Sequence, residues 1–333
     1  MAKTYYLFNP GRLSRKDNTL RFVPVDEDGQ EGPPKYIPVE DVENLYVFGA
    51  LDVNSALLNF LGKHRVMVHF FDYYEHYTGS FMPKEYLLAG KMVIAQTEAY
   101  LHPARRLALA QKFVSGGAVN MLHNLRYYHN RQKEMGAELT AIEKYLAEVP
   151  NAGGVEVLMG LEGNIRQVYY QAFDKILDDF VMAGRSRQPP TNEVNALVSF
   201  GNMLCYTLCL DQLYHTQLHP TISFLHQPGT RRYSLALDLA EVFKPVLVDR
   251  MIFSVLNKKQ LQAQDFDQTL NGTVLKDKGR KALLKIWDER LKETLQHPQL
   301  KRKVSYKHLV RLEAYKVAKH LLGMDDYRPY KMR

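Results

Sequence analysis

Over about the first eighty residues, apolar and polar positions come in short runs rich in Val, Ile, Tyr and Phe: "TYYLF", "TLRFVPV", "KYIPV", "ENLYVFG" and "RVMVHFFD". Turn chemistry such as "RKDN" and "DEDGQEGPP" separates them, and this combination predicts strands. One helix interrupts the series at "LDVNSALLNFLGKH", with Asp52 as its cap, an apolar stripe at Ala56, Leu57, Phe60 and Leu61, and Gly62 as its stop. From about residue 85 the apolar spacing changes to three and four and stays so. Helices are predicted in the long run from "EYLLAGKMV" to "HNLRYY" and then at "ELTAIEKYLAEV", "EVLMGLEGNIRQVYYQAFDKIL", "NEVNALVSFGNMLCYTLCLDQLYHTQL", "SLALDLAEVFKPVLVDRMIFSVLNKK", "GRKALLKIWDERLKETL" and "KHLVRLEAYKVAKHLL". Loops fall at "RSRQPPTN" and "QPGTRR". The expected fold is α+β: a small β-rich domain at 1–85 with one short helix, then a large all-α domain at 86–333.

Composition narrows the function classes. With 333 residues, 46% of them hydrophobic, the chain can build one large or two ordinary cores. No apolar run reaches the length of a membrane span, and the N-terminal "MAKTYYLFNPGRLSRKDN" lacks a secretory signal, so a soluble, cytoplasmic protein without a membrane partner is expected. The two cysteines, Cys205 and Cys209, share one apolar helix face and read as small buried residues, because no second pair completes a zinc spacing. The net charge of +8 is unevenly placed: residues 275–333 hold 17 Lys and Arg against 7 Asp and Glu, while the other 274 residues hold 27 against 29. Such asymmetry points to a polyanion, with Lys301, Arg302, Lys303, Lys307 and Arg311 on the basic C-terminal helices as candidate phosphate contacts. The alternative is a solvated helix surface.

No phosphate loop, dinucleotide fingerprint, H-E-x-x-H or G-x-S-x-G is present, which leaves nucleotide hydrolysis, dehydrogenase and serine hydrolase chemistry without support. What stands out is acidic. In "SLALDLAEVF", Asp238 and Glu241 at i and i+3 share a face of a helix whose apolar residues bury much of it, and the turn "QPGTRR" lets His226 fold back over them. An imidazole with two carboxylates suits manganese, or magnesium with enough oxygens. The same residues also fit a core histidine and a carboxylate pair satisfied by Arg231, Arg232 or Lys244. Glu162, at the start of its predicted helix, is a third carboxylate that stands out, and taken singly it reads as a first-turn carboxylate or as the partner of Arg166. His215 and His219, at i and i+4, have zinc spacing but no catalytic glutamate between them.

Taken together, "GLEGNIRQVYYQAF", "PPTNEVNALVSFGNMLCYTLCLDQLYHTQLHPTISFLH", "RYSLALDLAEVFKPVLVDR" and "YKHLVRLEAYKVAKHLLG" resemble the CRISPR-associated adaptation integrase, the protein 1 family, over essentially the whole chain. The opening "KTYYLFNPGRLSRKDNTLRF" resembles the branch associated with type I systems, subtype B-like. The resemblance implies a metal-dependent endonuclease that inserts spacers into CRISPR arrays by attack of a DNA 3′-hydroxyl on a repeat phosphodiester. It implies Mg2+ or Mn2+ held by Glu162, His226 and Glu241, with Asp238 as an additional acidic residue needed for activity. It further implies a homodimer paired through the β domain and a small CRISPR-associated partner protein. Two positions depart from the family pattern: Lys244 stands where an arginine is common, and His219 where an aspartate is common. Lys244 and Arg166 are expected to meet phosphate. The competing readings are a stand-alone metal nuclease acting on branched DNA in repair and a non-catalytic DNA-binding subunit.

Overall fold

The computed structural model describes residues 3–332 except Glu27, Tyr73, Tyr74, Glu85, Tyr86, Gln188, Arg231, Leu270 and Asn271. The chain divides into two compact units, Met1–Leu88 and Ala89–Arg333. In the first, β1 (Lys3–Leu7), β2 (Gly11–Lys16), β3 (Thr19–Pro24), β4 (Lys35–Pro38), β5 (Val42–Val47) and β6 (Leu51–Asp52) precede α1 (Ser55–His64), β7 (Met67–Phe71) and β8 (Tyr77–Phe81). They form two four-stranded sheets, ordered β1-β5-β7-β8 and β4-β3-β2-β6. The first sheet is parallel through β7 and antiparallel at β8.

Alternation along the strands sends Leu7, Val47 and Val68 from the first sheet, and Leu13, Leu20 and Phe22 from the second, into one apolar cluster with Leu57, Phe60 and Leu61 of α1. Asn54, and not Asp52, caps α1 by accepting from the Leu57 N–H at 2.9 Å. Nor does Gly62 stop the helix, which runs to His64 and closes at Arg65 in the left-handed region.

The second unit contains α2 (Gly90–Leu101), α3 (Pro103–His129), α4 (Gly136–Glu148), α5 (Val155–Gln171), α6 (Phe173–Ile176), α7 (Glu193–Tyr214), α8 (Ser234–Phe243), α9 (Arg250–Asn257), α10 (Asp277–Lys292) and α11 (Tyr306–Leu321). The unbroken helical spacing from 85 onward conceals the boundary between α2 and α3, where His102 caps and Pro103 takes the first helical position. α3 packs against α2, α4, α5 and α8, and α7 is buried nearly all round between α8 and α11. Cys205 and Cys209 lie buried in α7 as free thiols. Two short ribbons depart from an all-α reading: β9 (Phe266–Thr269) with β10 (Gly272–Leu275), and β11 (Thr294–Gln296) with β12 (Lys303–Ser305). No helix among the described residues is long and apolar enough to cross a membrane.

Where α8 ends, Pro245 has no N–H to return to the Glu241 carbonyl, and the chain widens into a π-turn over Lys244–Asp249. Side chains of α3 take up carbonyls along this stretch. Asn120 Nδ2 donates to Val242 O at 3.0 Å, and Asn124 Nδ2 donates to Pro245 O at 2.9 Å. Gly117 permits the close crossing: a Cβ there would stand 2.8 Å from Glu241 O. Asn120 also fastens the C-terminal residues, donating to Tyr330 O at 3.1 Å and accepting from the Met332 N–H at 2.8 Å.

Candidate active site

Glu162 lies in the third turn of α5, not the first, so the helix-terminus explanation for its charge falls away. One turn on, Arg166 donates through Nε to Glu162 Oε1 at 2.6 Å and through Nη2 to Glu241 Oε2 on α8. Lys244 Nζ donates to the other Glu241 oxygen at 2.6 Å. The expected Glu162–Arg166 pair therefore exists, within a four-residue network of two carboxylates and two cations. Burial alone would raise the Glu241 carboxyl, but Arg166, Lys244 and His226 outweigh it and hold it down from 4.5 to about 2. Burial likewise works against the Arg166 charge, yet Glu241 and Glu162 hold that guanidinium far above its ordinary range.

Asp238 is fully buried and does not face the cleft as a free carboxylate. Its Oδ2 accepts from the N–H groups of Phe224 at 2.7 Å and Leu225 at 3.0 Å, and its Oδ1 from that of His226 at 2.9 Å. The same Oδ1 lies 2.8 Å from His226 Nδ1. Because the carboxylate offers only acceptors, Nδ1 carries a proton, and in the neutral imidazole the lone pair is then on Nε2. That nitrogen stands 3.9 Å from Glu241 Oε1. Asp238 thus holds the His226 imidazole from behind, by its ring nitrogen and its backbone N–H.

Three separate segments of the chain bring Glu162, His226 and Glu241 to one cleft of ≈ 580 Å³. Among the described residues six cations line it, Arg106, Arg166, Arg185, Arg187, Arg232 and Lys244, against the carboxylates Glu156, Glu162 and Glu241. Among the described residues no three His, Cys, Asp or Glu side chains stand as a ready metal-ligand group, because Arg166 bridges the two glutamates. The donor chemistry nonetheless fits a divalent cation: two carboxylates, and an imidazole nitrogen whose other ring nitrogen is held by a carboxylate.

The remaining candidates divide. Arg166 and Lys244 belong to the site. Lys301, Arg302 and Lys303 are exposed on the connection into β12 and its first residue, not on a helix. Lys307 and Arg311 sit on α11 beside the end of α7, where Lys307 Nζ is 3.7 Å from Asp211 Oδ2 and Arg311 Nε donates to Gln212 Oε1 at 2.9 Å. The His215–His219 pair dissolves, since α7 ends at Tyr214; His219 Nδ1 lies 2.8 Å from Thr221 Oγ1. Arg232 lines the cleft, while Arg231 lies outside the described residues. Arg106, Arg185 and Arg187 were not legible as site residues, because no spacing ties them to the acidic helix. The paired glycines of "VSGGAVN", a costly insertion into a long helix, do signal a close crossing.

Residues 5–289 match the family model described as CRISPR associated protein Cas1. A CRISPR-associated endonuclease Cas1 of Thermodesulfovibrio yellowstonii is 46% identical over 99% of both chains, and one of Fusobacterium nucleatum is 40% identical over 100% of this chain and 97% of its own. A solved Cas1 protein from Thermotoga maritima superimposes with a TM-score of 0.87 at 36% identity, covering 99% of this chain and 100% of that one. A casposase bound to integration product shares the fold, with a TM-score of 0.88 at 19% identity, covering 99% of this chain and 94% of that one.

Proposed function

The chain belongs to the Cas1 family of CRISPR-associated proteins, and from that premise we propose a metal-dependent DNA endonuclease and integrase of CRISPR adaptation, acting in the cytoplasm. Its reaction is a transesterification in which a DNA 3′-hydroxyl attacks a phosphodiester of the repeat. The observation that carries this reading is the meeting of Glu162, His226 and Glu241 in an otherwise cationic cleft. Glu162, His226 and Glu241 would hold Mg2+ or Mn2+, and the ion, when bound, supplies Lewis-acid polarisation of the phosphoryl oxygen and stabilises the leaving oxygen.

The rest of the machinery belongs to the chain itself. Asp238 keeps the His226 proton on Nδ1, so that Nε2 faces the cleft with its lone pair. Arg166 places a planar fork, and Lys244 a point charge, beside the two glutamates, where negative charge develops on the phosphoryl group. Lys301, Arg302, Lys303, Lys307 and Arg311 contact DNA phosphates farther along, so charge reversal at the first three lowers the salt dependence of binding. An unchanged slope removes them from the interface. Pairing through the β-rich unit as a homodimer, assembly with a small adaptation partner, and membership of a subtype B-like type I system complete the proposal. Solved complexes of relatives pair a Cas1 with a Cas2.

The deciding experiment supplies a labelled branched DNA that mimics a half-integrated spacer, with Mn2+ or Mg2+, and follows strand rejoining beside Glu162→Ala. Rejoining that requires both metal and Glu162 is expected. DNA that is bound but neither rejoined nor cut would establish a non-catalytic binding subunit instead. Rejoining without preference for repeat sequence would favour a stand-alone nuclease.

A further inference from the structure

The cleft has two electrostatically different halves. Around the catalytic glutamates the charges cancel: Arg166 is paired twice and Lys244 once. Arg185 is different. It is half-buried, and its Nη1 donates to Asn195 Oδ1 at 3.0 Å and to the Ser186 carbonyl, while Nη2 donates to Ser199 Oγ at 2.9 Å. All three acceptors are neutral. Asn195 is itself fully buried and held rigid, donating to Gly184 O at 3.0 Å and Met182 O at 3.2 Å and accepting from the Ser186 N–H at 2.9 Å. Among the described residues no carboxylate forms an ion pair with Arg185.

A long cation has therefore been ordered and partly taken out of water with no counter-charge from the chain, an arrangement that costs stability unless an anion completes it. Arg187, exposed two residues on, lines the same cleft and adds a like charge. Burial lowers the Arg185 pKa, Tyr170 offsets part of that, and Arg187 and Arg166 add to it, as expected of a charge awaiting a partner. Tyr170 joins the two halves, since its hydroxyl accepts from Arg166 Nη1 at 3.4 Å.

We propose that Arg185, with Arg187, forms a second phosphate subsite that holds a backbone phosphate of the DNA strand other than the one that reacts. This rests on the reading of the cleft as a DNA site, and the rigid guanidinium fork matches two phosphoryl oxygens. The subsite sets where along its backbone the strand lies, and Arg166 and Lys244 remain for the reacting group.

The test is binding of fluorescent branched DNA to the full chain in EDTA, read by anisotropy across a NaCl series. Arg185→Met is expected to bind about tenfold more weakly at low salt, with the salt slope reduced by about 0.7–0.9, the contribution of one phosphate contact. Arg185→Lys restores part of both. Methylphosphonates placed singly along the strand then locate the contact: one non-reacting position weakens the wild type but has no further effect in Arg185→Met. Unchanged affinity and slope in Arg185→Met would overturn the proposal. So would weaker binding in which every methylphosphonate keeps its wild-type effect, because that pattern marks a structural tie. Should Arg185→Met fail to fold, Arg187→Ala carries the same slope measurement: a reduced slope supports the subsite and an unchanged one overturns it. No metal is present in this assay, so a wild type that binds but never rejoins DNA would remove the catalytic reading and leave the subsite standing.

Discussion

Replacing Asp238 by asparagine tests whether this carboxylate works through His226. Each carboxylate oxygen receives two donors: the Phe224 and Leu225 N–H groups at Oδ2, and the His226 N–H and Nδ1 at Oδ1. An asparagine amide can present oxygen at only one of these positions, and its NH2 then faces two donors at the other. Two hydrogen bonds to a charged acceptor are lost, each worth about 1.5–3 kcal/mol, in a position that water does not reach. The expected destabilisation is about 3–6 kcal/mol, or a fall in Tm of about 6 °C or more in a unit of this size.

Catalysis falls for a second reason. With NH2 against Nδ1 the imidazole shifts its proton to Nε2, which removes the lone pair from the cleft, and loss of such an outer partner costs about 10–100-fold in metal affinity or activity. The assay pairs a thermal melt with strand rejoining at a temperature where the variant is folded, across a metal titration. A variant that melts within about 1 °C of wild type and rejoins at the wild-type rate would refute the positioning role.

Two further predictions concern the frame behind the site. Gly117→Ala puts a Cβ 2.8 Å from Glu241 O, and Gly116→Ala puts one 2.6 Å from Pro329 Cβ. Both should destabilise by about 1–3 kcal/mol through overpacking, but only Gly117→Ala should slow strand rejoining at equal folded fraction; equal rates would show that α3 does not set Glu241. Burial raises the Asp249 carboxyl from 3.8 to about 7, so the unfolded chain releases this proton first and stability falls as pH rises from about 4 to 7. The cost, complete above that range, reaches about 4 kcal/mol by linkage, so Asp249→Asn should raise Tm at pH 8 and leave it nearly unchanged at pH 4. A Tm gain of equal size at both pH values would place the effect elsewhere. Glu241 has the opposite sign: its stabilising contribution is present above 4.5 and lost as pH falls toward 2.

The legible part of the fold was carried by periodicity and punctuation. Strands such as Val42–Val47 and Met67–Phe71 are dense in apolar and aromatic residues, and the long helices keep their spacing over several turns. Elements with little apolar content escaped. β2, "GRLSRK", has Leu13 as its one apolar side chain and carries no strand signal until β3 pairs with it. The two ribbons of the second unit have three or four residues per strand, too few to hold a period. The π-turn escaped as well: one helix was expected straight through "SLALDLAEVFKPVLVDRMIFSVLNKK", and Pro245 alone does not say what form the irregularity takes.

For the site, residue types drew attention to His226, Asp238 and Glu241, because carboxylates on an apolar helix face demand partners, while Glu162 joined them only through the family resemblance. The division of labour among them did not follow from type. Asp238 and Glu241 are three residues apart on one helix, yet one turns to the loop and collects four donors while the other turns to the cleft and collects two cations. That difference is set by what packs against each side of α8: the 224–226 segment on one, and α5 with the π-turn on the other. The carbonyls of α8 and the turn are in turn anchored by Asn120 and Asn124 from α3, and Asn120 also holds the C-terminal residues. Displacing either support would move Glu241 relative to His226 without touching a side chain of the cleft, so the geometry of the cleft depends on the whole helical unit and not on its acidic motif alone.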